Sequence, residues 1–79
     1  MKSFEETLAH PTLGTARINV YEYGRPQRGW LVTEDRNGTI PVVKTIGFFD
    51  DRESALAIAH RRLEELRQQR YGSLTHGVA

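Results

Sequence analysis

The 79-residue sequence lacks cysteine altogether, and it has neither a long apolar run nor a strong excess of one charge. Without cysteine there are no disulfide bonds and no thiolate metal ligands, so the fold must rest on packing. No apolar stretch approaches the ~20 residues of a membrane-spanning helix. The net charge of +1 also falls short of the strongly basic balance that is typical of nucleic-acid-binding proteins.

Size and termini predict one domain in the cytoplasm. A chain of 79 residues is too short for two hydrophobic cores, since domains usually hold roughly 100–150 residues. We expect a single domain over residues 1–72 and a flexible tail over residues 73–79. The first six residues lack the apolar segment of a secretory signal. Together with the missing cysteine, this favours a cytoplasmic protein.

Residues 16–23 alternate between apolar and polar side chains with a two-residue period. Such alternation is typical of a half-buried antiparallel strand. The apolar set, which we expect to face a helix, is Ala16, Ile18 and Val20. The opposite set is Arg17, Asn19, Tyr21 and Tyr23. The sequence leaves open whether residues 3–8 form a further strand.

The Asn37-Gly38 pair predicts a two-residue hairpin turn, because both central positions of a type I′ turn need a positive φ. The two strands that it joins would cover residues 30–35 and 39–46. This turn predicts two cross-strand pairs, Val32 with Val43 and Trp30 with Thr45. Which face of the hairpin is buried stays open at this point.

A helix is predicted to follow the strands and to extend to about Tyr71. Asp50 is the expected N-cap, and Glu53 follows three residues later as in a capping box. Apolar side chains recur with helical spacing as one stripe, namely Ala55, Leu56, Ala59, Leu63 and Leu66. Gly72 is the expected stop. We therefore predict an α+β fold, in which a three- to four-stranded antiparallel β-meander precedes one C-terminal α-helix packed on one sheet face.

Catalysis is not expected from this sequence. The three histidines fall in a loop, on the polar helix face and in the tail, without metal-ligand spacing, and they are His10, His60 and His76. The acidic pairs have simpler explanations, since they cap the helix, flank a turn or lie near a terminus. A domain of this size also has little material to wall a catalytic pocket. We therefore expect a non-enzymatic chain that needs no metal and no cofactor.

Aromatic and basic side chains on the strands favour nucleic-acid binding as the first functional hypothesis. Rings on an open sheet can stack bases, at about 1–3 kcal/mol each, while arginines neutralise phosphates. The loop over residues 24–29 adds two arginines. The expected contact residues are Arg17, Tyr21, Tyr23, Arg25, Arg28, Arg36 and Lys44. The sequence does not distinguish DNA from RNA.

A protein-interaction or self-assembly module is the alternative hypothesis. Pro41 cannot donate a ladder hydrogen bond, which favours an edge strand or a bulge at this position. An unprotected edge strand could pair with a partner protein or with a second copy in a homodimer. Exposed Trp30 and Tyr23 could also anchor an interface, since Trp, Tyr and Arg dominate binding hot spots. The nearly neutral net charge favours this alternative.

Five segments between residues 17 and 72 resemble a WGR-type domain, a small module of some poly(ADP-ribose) polymerases and of short bacterial proteins. They are a tyrosine-bearing strand at 18–21, a glycine-preceded aromatic strand at 29–32, Gly-Phe-Phe-Asp at 47–50, a helix start at 53–56 and Arg-Tyr-Gly at 70–72. The family's Trp-Gly-Arg motif is missing, and only Arg36 and Gly38 echo it. The layout is also similar to the three-strand-plus-helix DNA-binding domain of tyrosine integrases. Both resemblances imply nucleic-acid binding.

Overall fold

The computed structural model describes residues 1–24, 26 and 28–74. Its elements in chain order are β1 (Lys2–His10), β2 (Gly14–Tyr23), β3 (Gly29–Asn37), β4 (Pro41–Phe49), α1 (Arg52–Gln68) and β5 (Gly72–Ser73). The strands form one antiparallel sheet in the order β4-β3-β2-β1-β5. This confirms the predicted α+β meander with a C-terminal helix. Residues 3–8 belong to a full strand, β1.

The helix α1 buries one face of the sheet. It follows β4 at one edge and precedes β5 at the other, so it crosses the face diagonally and contacts all four long strands. The predicted apolar stripe is confirmed, since four of its members are fully buried, namely Ala55, Ala59, Leu63 and Leu66. Small Ala55 and Ala59 let the helix approach the sheet closely. Strand β2 supplies the predicted buried set, Ala16, Ile18 and Val20.

The helix begins one residue later than predicted. Asp51, and not Asp50, is the N-cap, and its carboxylate accepts hydrogen bonds from the Ser54 amide (3.0 Å) and the Ser54 hydroxyl (2.9 Å). These two donors hold the pKa of Asp51 below its ordinary value. The predicted capping box of Asp50 and Glu53 is therefore wrong, because a serine at the third helical position satisfies the cap on its own.

The helix ends earlier than predicted, at Gln68, and Gly72 is part of β5 and not the stop. The Arg70 amide donates to the Arg67 carbonyl and the Tyr71 amide donates to the Leu66 carbonyl, which is the Schellman pattern. Arg70 takes the left-handed position at φ 80°, where glycine is usual. The buried Tyr71 side chain packs into the same core as Leu66, and this contact fixes the turn.

The β3–β4 connection has three residues and not the predicted two. Asn37 pairs with Pro41, and neither Asn37 nor Gly38 has the positive φ that a type I′ turn needs. A bulge at Ile46 then shifts the register by one residue. The pairs in the structure are Val32 with Gly47 and Trp30 with Phe49, so both predicted pairs, Val32 with Val43 and Trp30 with Thr45, are wrong.

Trp30 lies on the face that α1 covers. It is partly buried and packs, like Phe49, against the core, which settles the open question about the buried face of this hairpin. Trp30 is therefore not the exposed anchor that the interaction hypothesis considered, whereas Tyr23 is 47% exposed. The chain after α1 returns to the sheet, because Gly72 and Ser73 pair with β1. Residues 75–79, the larger part of the predicted tail, lie outside the described residues.

Replacing Arg70 with glycine should stabilise the protein. A left-handed conformation costs a residue with a side chain roughly 1–2 kcal/mol, and glycine escapes most of this cost. We expect Arg70→Gly to raise the free energy of unfolding, measured in urea, by about 1 kcal/mol. Gln69→Gly is the matched control, because Gln69 has a negative φ and gains nothing. An equal change in both variants would contradict this account of the helix end.

Candidate binding surfaces

The face of the sheet opposite α1 is uncovered by any described element, and we call it the open face. Cross-strand partners in an antiparallel sheet point to the same face. The β2–β3 register therefore assigns five pairs to the open face. They are Thr15 with Asn37, Arg17 with Asp35, Asn19 with Thr33, Tyr21 with Leu31 and Tyr23 with Gly29. The sequence predicted that Arg17, Asn19 and Tyr21 lie on the opposite face of β2 from its core residues, and this register agrees with that prediction.

The centre of the open face is polar and its charges are paired. Arg17 lies 3.2 Å from the Asp35 carboxylate and 3.5 Å from that of Glu5. The Lys2 ammonium donates to Glu5 at 3.0 Å and, with help from Arg17, lowers the pKa of that carboxyl. Because two cations face two carboxylates here, the centre of the open face has no net charge.

Asn19 is fully buried although it points to the open face. Its Nδ2 donates to Thr33 Oγ1 (3.3 Å) and to Asp35 Oδ2 (3.2 Å). Its Oδ1 is buried and has no hydrogen-bond partner among the described residues. These contacts fix the orientation of the Asp35 carboxylate toward Arg17.

Three aromatic side chains collect around Leu31 at one end of the open face. We call these four residues the aromatic cluster, namely Tyr21, Tyr23, Phe48 and Leu31. The rings of Tyr23 and Phe48 meet edge to face, with centroids 5.8 Å apart. Phe48 lies directly over Gly29, where a Cβ would come within 2.4 Å of the ring, so this position requires glycine. Lys2 Nζ lies 5.5 Å from the Tyr21 ring centroid. Tyr23 and Phe48 remain nearly half exposed.

Strand β4 forms an edge of the sheet, and its outer side has no partner strand among the described residues. We call this side the β4 edge. Lys44 is the one charged residue of the strand. Two neighbouring valines are exposed, Val42 at 50% and Val43 at 74%, and Ile40 of the preceding turn is exposed at 71%. The β4 edge therefore combines unpaired backbone groups with accessible apolar side chains.

The structure brings together only some of the predicted nucleic-acid contacts. Arg17, Tyr21 and Tyr23 lie on β2, and Arg28 is exposed in the loop before β3. Arg36 and Lys44 occupy the opposite face, because they pair with Ala16 and Glu34 of the core side. Arg25 lies outside the described residues.

A buried ion pair, which sequence reasoning missed, joins β3 to α1. Glu34 is 2% exposed, although it was expected merely to flank a turn. Arg62 binds it through Nε (2.6 Å to Oε1) and Nη2 (3.2 Å to Oε2). Arg36 Nε lies 2.6 Å from Oε2, and its Nη1 donates to the Tyr71 hydroxyl at 3.2 Å. Glu34 lies two residues after Val32, and residues two apart on a strand share a face. This spacing could have indicated that Glu34 lies on the core side.

These contacts shift the pKa values of both partners. Burial by itself would raise the pKa of Glu34, but the hydrogen bonds from Arg62 and Arg36 outweigh burial and lower it. The hydrogen bond to Glu34, with a further one to Glu65, raises the pKa of Arg62. The pair therefore stays charged at neutral pH and holds α1 against the sheet.

The Glu34 carboxylate should make stability depend on pH. Its folded pKa lies below the ordinary 4.5, so its contribution is complete above that value and is lost as the pH falls through the folded pKa. We expect Glu34→Gln to lower the free energy of unfolding at pH 7 by about 3–5 kcal/mol, because two arginines lose their buried anion. The variant should also lose less stability than wild type below pH 4.5.

Exposed Glu64→Gln is the matched control for urea unfolding at several pH values. We expect it to keep both the stability at pH 7 and the acid dependence of wild type. An unchanged acid dependence in Glu34→Gln would contradict the role of the buried pair.

A depression of about 290 Å³ lies at the end of the open face and is lined by Arg17, Asp35 and Val43, among others. The Arg17–Asp35 ion pair occupies its polar side. Within the described ranges, no group of three His, Asp or Glu residues could hold a metal ion, and no helix has the length and apolarity to cross a bilayer.

Searches against protein-family models, curated proteins and solved structures found no match to this chain.

Proposed function

We propose that this chain is a non-enzymatic, cytoplasmic protein-interaction module that pairs a strand of a partner protein with the β4 edge. The observation that carries the proposal is a strand edge that no other described strand pairs with, combined with exposed Val42 and Val43. A partner strand would gain backbone hydrogen bonds along the edge and specificity from alternate side chains.

The two sides of the sheet differ in how they resist pairing, one formed by β4 and the other by β1 with the two-residue strand β5 beside it. Charged residues and short covering strands protect natural sheet edges. Strand β1 has both, because β5 pairs with part of it and it carries Lys2, Glu5 and Glu6. Strand β4 also carries protective features, because Pro41, Lys44 and the bulge at Ile46 all lie on it. No described strand covers its outer side, however, and Val42 and Val43 between the proline and the lysine are exposed. The β4 edge is therefore the better candidate for strand addition.

Charge pairing on the open face also favours a protein over a polyanion as the partner. Arg17 and Lys2 form ion pairs with Asp35 and Glu5. Their positive charges are therefore partly neutralised before any phosphate binds. Counterion release, the main source of nucleic-acid affinity, scales with the number of phosphates neutralised. The net charge of +1 adds no long-range attraction to nucleic acid.

A photo-reactive amino acid in β4 tests the proposal in cells that produce the chain. With the photo-reactive group at Thr45, on the exposed part of β4, we expect irradiation to give one discrete cross-linked adduct. The cross-linked site in the partner protein should lie in an extended segment. The same group at Ala57, exposed on α1, is the control and should give none. Val43→Asp should abolish the Thr45 adduct, because it inserts a charge next to the pairing strand.

Two results would overturn the proposal. Thr45 could give no adduct in cells with normal levels of the folded chain. The Thr45 adduct could also survive Val43→Asp, in which case contact does not depend on the β4 edge.

Nucleic-acid binding is the second candidate, and the aromatic cluster favours it. Tyr21, Tyr23 and Phe48 present accessible rings at one end of the open face, with Lys2 over Tyr21 and Arg28 in the adjacent loop. Base stacking on such rings contributes about 1–3 kcal/mol per base. No family model matches the chain, so the resemblance to WGR-type domains does not support this candidate. The candidate rests on the arrangement of the aromatic cluster with Lys2 and Arg28.

An amide chemical-shift titration with short single- and double-stranded oligonucleotides tests the second candidate. At low salt we expect shifts at Tyr21, Tyr23 and Arg28, and we expect added salt to weaken them as counterion release requires. Tyr23→Leu should lower the affinity, while Val43→Thr, at the other end of the open face, should leave it unchanged. Affinity that does not respond to salt, or no shifts at all, would exclude nucleic acid as the ligand.

A further inference from the structure

We infer that the strand bound at the β4 edge is β4 of a second copy of this chain, in an antiparallel arrangement centred on Val43. This inference rests on the proposed function for the use of the β4 edge and adds the identity of the partner. The resulting homodimer would have a two-fold axis through the two Val43 residues.

The geometry of β4 selects Val43 as the centre. The regular part of the strand runs from Pro41 to Thr45, because the hairpin connection precedes it and the bulge at Ile46 follows. Val43 is the middle residue of these five. A two-fold axis at Val43 therefore uses the whole regular segment in both copies, and it pairs Val42 with Lys44 and Pro41 with Thr45 of the second copy.

The backbone hydrogen-bonding pattern agrees with this centre. Alternate residues of an antiparallel strand direct their N–H and C=O groups to the same side. A two-fold axis on a residue pairs odd-numbered with odd-numbered positions and even with even. Outward-pointing groups of one copy therefore meet outward-pointing groups of the other, which is the condition for a continuous ladder.

The charges in β4 also favour this register over the one centred on Lys44. Centred on Val43, the strand sets each Lys44 opposite Val42 of the second copy, where the apolar stem of the lysine can cover the valine. Centred on Lys44, it would set two ammonium groups opposite each other, which is destabilising. The low net charge of +1 per chain imposes little repulsion between whole molecules.

The side chains at the centre are accessible in the single chain. Val43 is 74% exposed on the open face and Val42 is 50% exposed on the helix side. In the dimer, Val43 meets its own copy, as in any two-fold interface. The two sheets join into one sheet with both helices on the same side, and the two open faces become continuous.

A charge-swap experiment at Val43 tests both the partner and the register. Wild type should show a concentration-dependent monomer–dimer equilibrium in sedimentation. Val43→Lys and Val43→Glu should each weaken dimerisation at least about tenfold, because like charges then oppose each other across the axis. An equimolar mixture of the two variants should restore the dimer, since lysine then faces glutamate.

Ala57→Lys and Ala57→Glu are the matched controls, because Ala57 is exposed on α1. Both should dimerise like wild type, and circular dichroism checks that every variant is folded. At an exposed edge position we expect unchanged spectra for both Val43 variants.

Three outcomes would overturn the inference. Wild type could stay monomeric up to about 1 mM, the range of very weak association. The Val43 variants could dimerise as well as wild type, or their mixture could fail to restore the dimer. The photo-adduct at Thr45 separates this failure from that of the proposed function. An adduct with a different protein would keep the β4 edge as a binding site while excluding the second copy as its occupant.

Discussion

One helix of 17 residues has to cover a sheet of four long strands, and the remaining structure follows from this constraint. A single helix can bury one face, so the opposite face must tolerate water. The outer strand β4 receives the least cover and stays exposed from Pro41 to Thr45. The core is correspondingly small, and alanines at two of its helical positions bring α1 close enough to the sheet to exclude water.

The Glu34 pair with Arg62 and Arg36 fixes how α1 sits on the sheet. Buried ion pairs often add little net stability, because desolvation offsets their attraction. A misplaced helix, however, would leave a charge buried without its partner, which is strongly unfavourable. Arg36 extends the same contact to the Tyr71 hydroxyl, so the helix, its C-terminal turn and β3 are tied together. This specificity complements the apolar stripe, which by itself would allow the helix to slide.

The two exposed surfaces differ in chemistry. On the open face the central charges neutralise each other, and aromatic rings collect at one end. The β4 edge instead offers backbone groups and valines with a single lysine. A nucleic acid would use the first surface and a protein strand the second. Formation of the dimer would leave the aromatic cluster free, because the dimer uses Pro41–Thr45 whereas the cluster surrounds Phe48, beyond the bulge at Ile46.

The sequence by itself determined the α+β order, the alternation of β2 and the buried stripe of α1, because each depends on the local period of apolar residues. Only the tertiary structure decided the β3–β4 register, since the connection has three residues and the bulge at Ile46 moves every later pair by one more residue. It also decided that Glu34 is buried, because its arginine partner lies 28 residues away on another element. The face of Arg36 follows from its pairing with Ala16 of β2, and the face of Lys44 follows from its pairing with Glu34 of β3. Local patterns could not supply them, because register is set by contacts between strands.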